Sequence, residues 1–123
     1  MYIDTNILMR YLLNDIPEQT DIAAEIIADG AQIYPEVIPE AVYVLSKIYE
    51  IPRKAVSDTL IAILDDISVE RKEQIKKTLK LFRETKLDYI DCLHLAGYSL
   101  SGEDFFSFDK KLMHKKKSLS NTP

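Results

Sequence analysis

The sequence predicts an α/β protein in which helices pack on both sides of a central, mostly parallel sheet of four to five short strands. Short apolar runs with strand character alternate with segments whose apolar residues recur every three to four positions. Acidic residues stand where apolar runs end and helices begin, which is where an α/β sheet opens its binding crevice. These two observations give the fold class, and the elements follow in chain order.

The first three elements are predicted from apolar spacing and from helix-boundary residues. Tyr2 and Ile3 end a short apolar run, and helical spacing over residues 7–12 predicts a first helix that ends near Leu13. Asp15, at the N-cap position before Ile16 and Pro17, predicts the start of a second helix. Gly30 suits the residue that follows the end of this helix.

The middle of the chain is divided by prolines. Residues 31–38 predict a second strand, which Pro35 shortens or breaks because proline cannot donate to a strand ladder. Pro39 predicts the start of a third helix with Glu40 in its first turn. Pro52 ends that helix, and a fourth is predicted over residues 53–64.

The last third continues the alternation. Residues 67–69 predict a short strand, and a long helix follows over residues 70–85 with a stripe of Ile75, Leu79 and Phe82. The next helix is predicted to begin near Asp88 and to end before Gly102. Residues 105–108 predict a last strand, with a terminal helix after it.

Length and composition predict a single soluble domain over residues 1–123. The 46% hydrophobic and 29% charged residues are typical of a globular protein, and one cysteine excludes a disulfide framework. No apolar run reaches the roughly 18 residues of a membrane span, and the first residues leave no room for a signal peptide. We therefore expect a cytoplasmic protein with no membrane association. The net charge of −4 argues against general coating of nucleic acid, although a net-acidic protein can still present local basic flanks to phosphate.

Four acids define the candidate site, and each has a simpler explanation when taken singly. Asp4 and Asp109 stand where aspartate caps a helix. Glu40 is an acid in a first turn, favoured by the helix dipole. Asp88 and Asp91, three positions apart before an apolar run, resemble a capping pair.

Together the acids suggest a metal site, because Asp4, Glu40 and Asp109 follow predicted strands of one sheet. Two carboxylates about 4 Å apart repel by roughly 4 kcal/mol at an effective dielectric constant near 20. A cluster of them must therefore hold a proton or a cation. Carboxylate ligands suit Mg²⁺ or Mn²⁺, and such an ion can activate water and stabilise charge on a phosphoryl oxygen. Hydrolysis of a phosphodiester or phosphate ester is the chemistry expected.

Four stretches of the chain contain the acids of the candidate site. The first begins Asp-Thr-Asn, the second centres on a glutamate, and the third and fourth contain the later aspartates. The stretches are residues 4–12, 39–45, 87–96 and 106–112. In this order they resemble the signatures of PIN-domain nucleases, specifically the VapC-like toxins of prokaryotic toxin–antitoxin pairs.

The resemblance implies an α/β/α fold and a Mg²⁺- or Mn²⁺-dependent endoribonuclease. The residues that match the acidic positions of the family are Asp4, Glu40, Asp91 and Asp109. Of these, Asp4 is expected to be the principal metal ligand, with Asp91 and Asp109 on the same ion or a second one. Glu40 would orient or deprotonate the attacking water. Asn6 and Ser107 match the supporting polar positions, and serine stands where threonine is commoner.

Partners follow from the same resemblance. It implies an RNA substrate, a small antitoxin protein and a homodimer. We expect Lys110, Lys111 and Arg10 to contact RNA, because they follow Asp109 and Asp4 closely in the chain. The expected protein-contact surfaces lie near the third and fourth helices, at Val42, Tyr43, Ile48 and Ile61.

Two other functions compete with this prediction. An aspartyl-phosphate phosphatase also begins from a strand-end aspartate, but it needs a second acid two residues on, where this chain has Asn6. A PIN module without catalysis that only binds RNA or a protein is the other alternative. Metal-dependent cleavage of RNA distinguishes an enzyme from a binder. Cys92 and His94 are expected to be packing or surface residues rather than catalytic ones.

Overall fold

The computed structural model describes residues 1–120. The chain divides into two compact units, Met1–Lys72 and Glu73–Pro123, and each is described by itself. A single domain over residues 1–123 stays a prediction. Within residues 1–120, no helix combines the length and the apolar character needed to cross a membrane.

The first unit alternates helices with short strands. β1 and β2 pair in parallel, with Ala31 opposite Ile67. α1 packs against α2 and α3, and α4 packs against α3 and the π-helical segment that continues α3. The elements of this unit are α1 (Thr5–Leu13), α2 (Pro17–Ala28), β1 (Ala31–Ile33), α3 (Val37–Tyr43), the π-helical segment (Val44–Ile48), α4 (Arg53–Ile63) and β2 (Ile67–Val69).

The second unit is helical in the part that the structure describes. α5 begins at the boundary between the units, and the stripe predicted on it is buried. α6 packs against α7 and ends at Gly102, whose φ of +67° is a conformation that glycine adopts without strain. The elements are α5 (Lys72–Glu84), α6 (Tyr89–Ser101) and α7 (Lys110–Ser120).

The alternation of helix and parallel strand is as predicted, but the number of strands is wrong. Residues 1–120 contain two strands of three residues each, not four to five. The predicted N-terminal strand is reduced to one parallel bridge, Tyr2 to Gln32, because only the backbone groups of Met1 and Ile3 bond Gln32.

The predicted strand over residues 105–108 does not form. Phe106 and Phe108 are 72% and 93% exposed, so their side chains do not pack against a sheet. The Ser107 hydroxyl accepts the Asp109 N–H at 3.0 Å, which turns this backbone toward a helix cap.

α3 begins at Val37, two residues earlier than predicted. The N–H groups of Val37 and Ile38 bond carbonyls of the preceding turn. Pro39 therefore lies within the first turn, where its missing N–H breaks no helical bond. Glu40 is in the first turn as predicted, and the strand before it ends at Ile33 rather than continuing to residue 38.

Candidate functional site

Asp4 is held by the start of α1. Its backbone is extended, and its Oδ1 accepts the Ile7 N–H at 3.0 Å. The capping explanation is therefore correct as far as it goes. Among residues 1–120, no hydrogen bond to the second carboxylate oxygen is seen, and the side chain is exposed. Asp4 can cap the helix with one oxygen and present the other to a ligand.

Glu40 is held by a residue that sequence reasoning missed. The Thr5 hydroxyl donates to Glu40 Oε2 at 2.6 Å, across 35 positions of the chain. This bond fixes one oxygen of an exposed carboxylate and leaves Oε1 for other contacts. Local sequence patterns hold no signal for this bond, because Thr5 and Glu40 are 35 positions apart.

Asp4 and Glu40 line the same cavity of about 610 Å³, together with Asn6 and the rings of Tyr2 and Tyr34. The first unit thus brings together three of the predicted site residues. Glu40 and Asn6 also line a second cavity of about 600 Å³. The supporting position predicted for Asn6 is therefore beside both carboxylates.

A second acidic set lies at helix starts of the other unit. Asp88 caps α6, and its Oδ1 accepts the Asp91 N–H at 2.8 Å. Asp109 caps α7 by accepting the Leu112 N–H at 3.0 Å. Ser107 bonds the backbone of Asp109, so it contacts the acid that it was predicted to support.

The carboxyl group of Asp91 has a perturbed pKa. Burial raises its pKa, and the nearby carboxylates of Asp88 and Asp109 raise it further, while His94 acts in the opposite direction. Ionised Asp91 is therefore disfavoured by its surroundings. Asp88 caps α6, the role preferred for it over that of a fifth acid of the site, and its carboxylate is also part of this electrostatic set.

The acids of the candidate site fit a divalent metal ion in the kind of donor atom that they supply. Within residues 1–120, no three His, Cys, Asp or Glu side chains are grouped closely enough to hold a metal. The donors are carboxylate oxygens, the ligands that Mg²⁺ and Mn²⁺ prefer. Burial is the largest cause of the raised pKa of Asp91, and the repulsion by Asp88 and Asp109 that adds to it would be relieved by a bound cation. Convergence of all four acids on one ion stays a prediction.

Lys116 fixes the segment that leads to Asp109. Its ammonium group donates to Asp104 Oδ1 at 2.5 Å and to the Phe105 carbonyl at 2.7 Å. It also lies 5.0 Å and 4.9 Å from the ring centroids of Tyr98 and Phe105. The hydrogen bond from Lys116 is the main cause that lowers the pKa of Asp104. This lysine therefore stabilises structure rather than reaching for a ligand.

Replacing Lys116 with methionine should lower the melting temperature of the protein by a few degrees. The variant keeps the apolar length but loses the charged hydrogen bonds and both cation–π contacts. Lys117→Met, on the same helix and exposed, is the matched control and should melt like the wild type. Thermal unfolding followed by circular dichroism measures both; equal melting temperatures would show that the Lys116 contacts contribute no stability.

Arg10 is already engaged within the first unit. Its Nη1 lies 3.0 Å from both carboxylate oxygens of Asp15, and its side chain is 15% exposed. Asp15 was predicted to cap α2, which is wrong: the cap position is Ile16, and no side chain caps it. Lys110 and Lys111 are exposed and are the better candidates for contact with RNA.

Cys92 and His94 lie where packing predicts. Cys92 is fully buried, and its sulfur lies 3.7 Å from the Thr85 hydroxyl. The His94 ring packs against Phe105, with 5.2 Å between ring centroids. Neither residue is needed to account for the acidic site.

The family model of the PIN domain matches residues 1–118. The chain therefore belongs to the PIN domain family, whose members have an α/β/α fold and are generally metal-dependent nucleases. No curated protein and no solved structure matches the chain significantly.

Proposed function

We propose that this protein is a Mg²⁺- or Mn²⁺-dependent endoribonuclease that hydrolyses phosphodiester bonds within RNA. The observation that carries the proposal is the shared cavity of Asp4 and Glu40 in a chain of the PIN family. Membership supports the nuclease class, and the site supplies the acids that such chemistry needs.

The proposed roles follow from the contacts of each acid. Asp4, Asp91 and Asp109 would hold the metal ion, which when bound supplies positive charge to activate water and to stabilise a phosphoryl oxygen. Glu40 accepts the Thr5 hydroxyl on Oε2, so Oε1 is the oxygen that orients the attacking water or takes its proton. Ser107 holds the backbone of Asp109.

Cleavage of a structured RNA by the purified protein tests the proposal. We expect internal cleavage with Mg²⁺ or Mn²⁺ and none after a chelator removes them. Binding without cleavage under any of these conditions would favour the alternative, a non-catalytic PIN module. Cleavage that persists with the chelator would contradict the metal dependence.

Neutralising Lys110 and Lys111 should weaken RNA binding and flatten its dependence on salt. The two exposed lysines begin α7, directly after Asp109, where contact with phosphate would release counterions. Filter binding at several salt concentrations compares Lys110→Gln/Lys111→Gln with Lys54→Gln/Lys86→Gln, which changes two exposed lysines elsewhere. Equal affinity of the two double variants at low salt would contradict a role for Lys110 and Lys111.

We also propose that the protein is a cytoplasmic VapC-like toxin, a homodimer restrained by a small antitoxin. The four signature stretches support this closer assignment. Tyr43 and Ile48 are 61% and 62% exposed and offer apolar contact surface, whereas Val42 is buried and was wrongly included in it. Expression in a bacterial host should arrest growth, and expression of Asp4→Asn should not.

A further inference from the structure

Two tyrosines form an exposed stacked pair beside Asp4. The rings of Tyr2 and Tyr34 have centroids 4.4 Å apart and planes 13° apart. The two residues are 51% and 57% exposed. Each ring covers one face of the other, so the pair offers its outer faces to solvent. Flat aromatic faces open to solvent are surfaces on which another planar group can stack.

Backbone pairing places the two rings together. Tyr2 bridges Gln32 in parallel, and Tyr34 follows Gln32 by two residues, on the same side of the extended chain. Ile3 and Ile33, at the alternate positions, are buried. The rings are therefore diagonal neighbours across a pair of extended segments, a separation that aromatic side chains can span.

The cavity beside the pair is acidic. Its lining includes both tyrosines and the carboxylates of Asp4, Glu36 and Glu40. All of its lining residues are within the described chain, and none is lysine or arginine. These side chains therefore offer no positive charge to phosphate, and a contact that they themselves make with RNA must be uncharged. Flat aromatic faces supply it for nucleic-acid bases, whatever their sequence.

We propose that the Tyr2–Tyr34 pair stacks an unpaired RNA base next to the phosphate that is cleaved. This inference rests on the proposed function, because it places the base beside the acid that would bind the metal. A base within a duplex cannot offer its face to a side chain. The pair would therefore contact a base that is not stacked within a continuous helix.

The test measures RNA binding without cleavage, in protein that carries Asp4→Asn. In that background, Tyr34→Leu should weaken binding of a labelled single-stranded RNA by about five- to a hundredfold, the range for loss of one stacked base. The slope of affinity against salt should not change, because no phosphate contact is lost. Tyr34→Phe should bind like the parent, and so should Tyr49→Leu, which changes an exposed tyrosine that lines neither large cavity.

A second measurement does not depend on the leucine variant folding. The chain has no tryptophan, so Tyr34→Trp introduces one fluorophore at the proposed contact. Its fluorescence should be quenched when single-stranded RNA is added and should change little with a blunt duplex. RNA binding without quenching would overturn the inference.

RNA binding by the parent and cleavage by the wild type distinguish failure of this inference from failure of the proposed function. If the parent binds RNA and Tyr34→Leu binds it equally well, the tyrosine pair serves another purpose, such as contact with a protein, and the nuclease proposal stands. If the wild type neither binds nor cleaves RNA, the proposed function itself is wrong, and the inference falls with it.

Discussion

Asp4→Asn should reduce metal-dependent RNA cleavage by about a thousandfold or more while the protein stays folded. Loss of a ligand that stabilises developing charge removes several kcal/mol of transition-state stabilisation, and about 4 kcal/mol corresponds to a factor near 10³. Asparagine keeps an oxygen that can accept the Ile7 N–H, and it caps helices about as well as aspartate. The substitution therefore separates the negative charge of Asp4 from its structural task.

Two companion variants sharpen this result. Asp4→Ala removes the cap as well as the charge, so it should lose activity and also about 1 kcal/mol of unfolding free energy. Asp21→Asn removes an exposed aspartate of α2 and should change neither property. Initial cleavage rates and denaturant unfolding measure the two effects. If Asp4→Asn keeps a rate within tenfold of the wild type, Asp4 is not the principal ligand.

The helices were predictable because residues close together in the sequence determine where each helix begins and ends. The capping aspartates at α1 and α6 and the glycines after α2 and α6 satisfy backbone groups within a few residues. The strands were predicted less well. Residues 67–69 form a strand as predicted, but the strand predicted over residues 31–38 ends at Ile33 and the one over residues 105–108 does not form, because a ladder requires a partner distant in sequence. Residues 105–108 have no neighbouring strand to pair with in the described chain, so their alternating side chains do not produce a strand. The local cap made by Ser107 sets the backbone there instead.

The residue types of the candidate site were predictable from the sequence, but the hydrogen bonds that these residues make were not. Aspartates at helix starts are visible in the sequence, and the structure shows that Asp4, Asp88 and Asp109 do act as caps. The Thr5–Glu40 bond spans 35 positions, so local patterns could not reveal it. Arg10, predicted to contact RNA, is instead bound to Asp15 only five positions away, a pairing that the spacing in the sequence allows but does not require.

Asp91→Asn should abolish metal-dependent cleavage and, in the presence of a chelator, make the protein more stable at pH 7. Burial and the neighbouring carboxylates raise the pKa of Asp91 in the folded protein above its ordinary value of 3.8. Ionised Asp91 therefore opposes folding, and a neutral asparagine of the same size removes that opposition. A gain in stability that accompanies loss of activity is expected of a functional residue.

The sign of the pH dependence follows from linkage. An acid with a raised pKa in the folded state stabilises the fold at low pH, and that contribution is lost as pH rises from 3.8 through the folded pKa. The advantage of Asp91→Asn over the wild type should therefore grow across that window, reach its full size at neutral pH and vanish below pH 3.8. Denaturant unfolding at pH 3.5, 5 and 7, with Asp21→Asn as control, measures it.

Addition of Mg²⁺ should reverse the order of stability. A ligand that binds only the folded state stabilises it in proportion to RT ln(1 + [L]/Kd), so the wild type gains stability with Mg²⁺ and Asp91→Asn gains much less. Melting curves with chelator and with increasing Mg²⁺ distinguish the two causes of a change at this position. If both proteins gain equally, Asp91 does not bind the ion, and its raised pKa reflects burial among acids that serve only as helix caps.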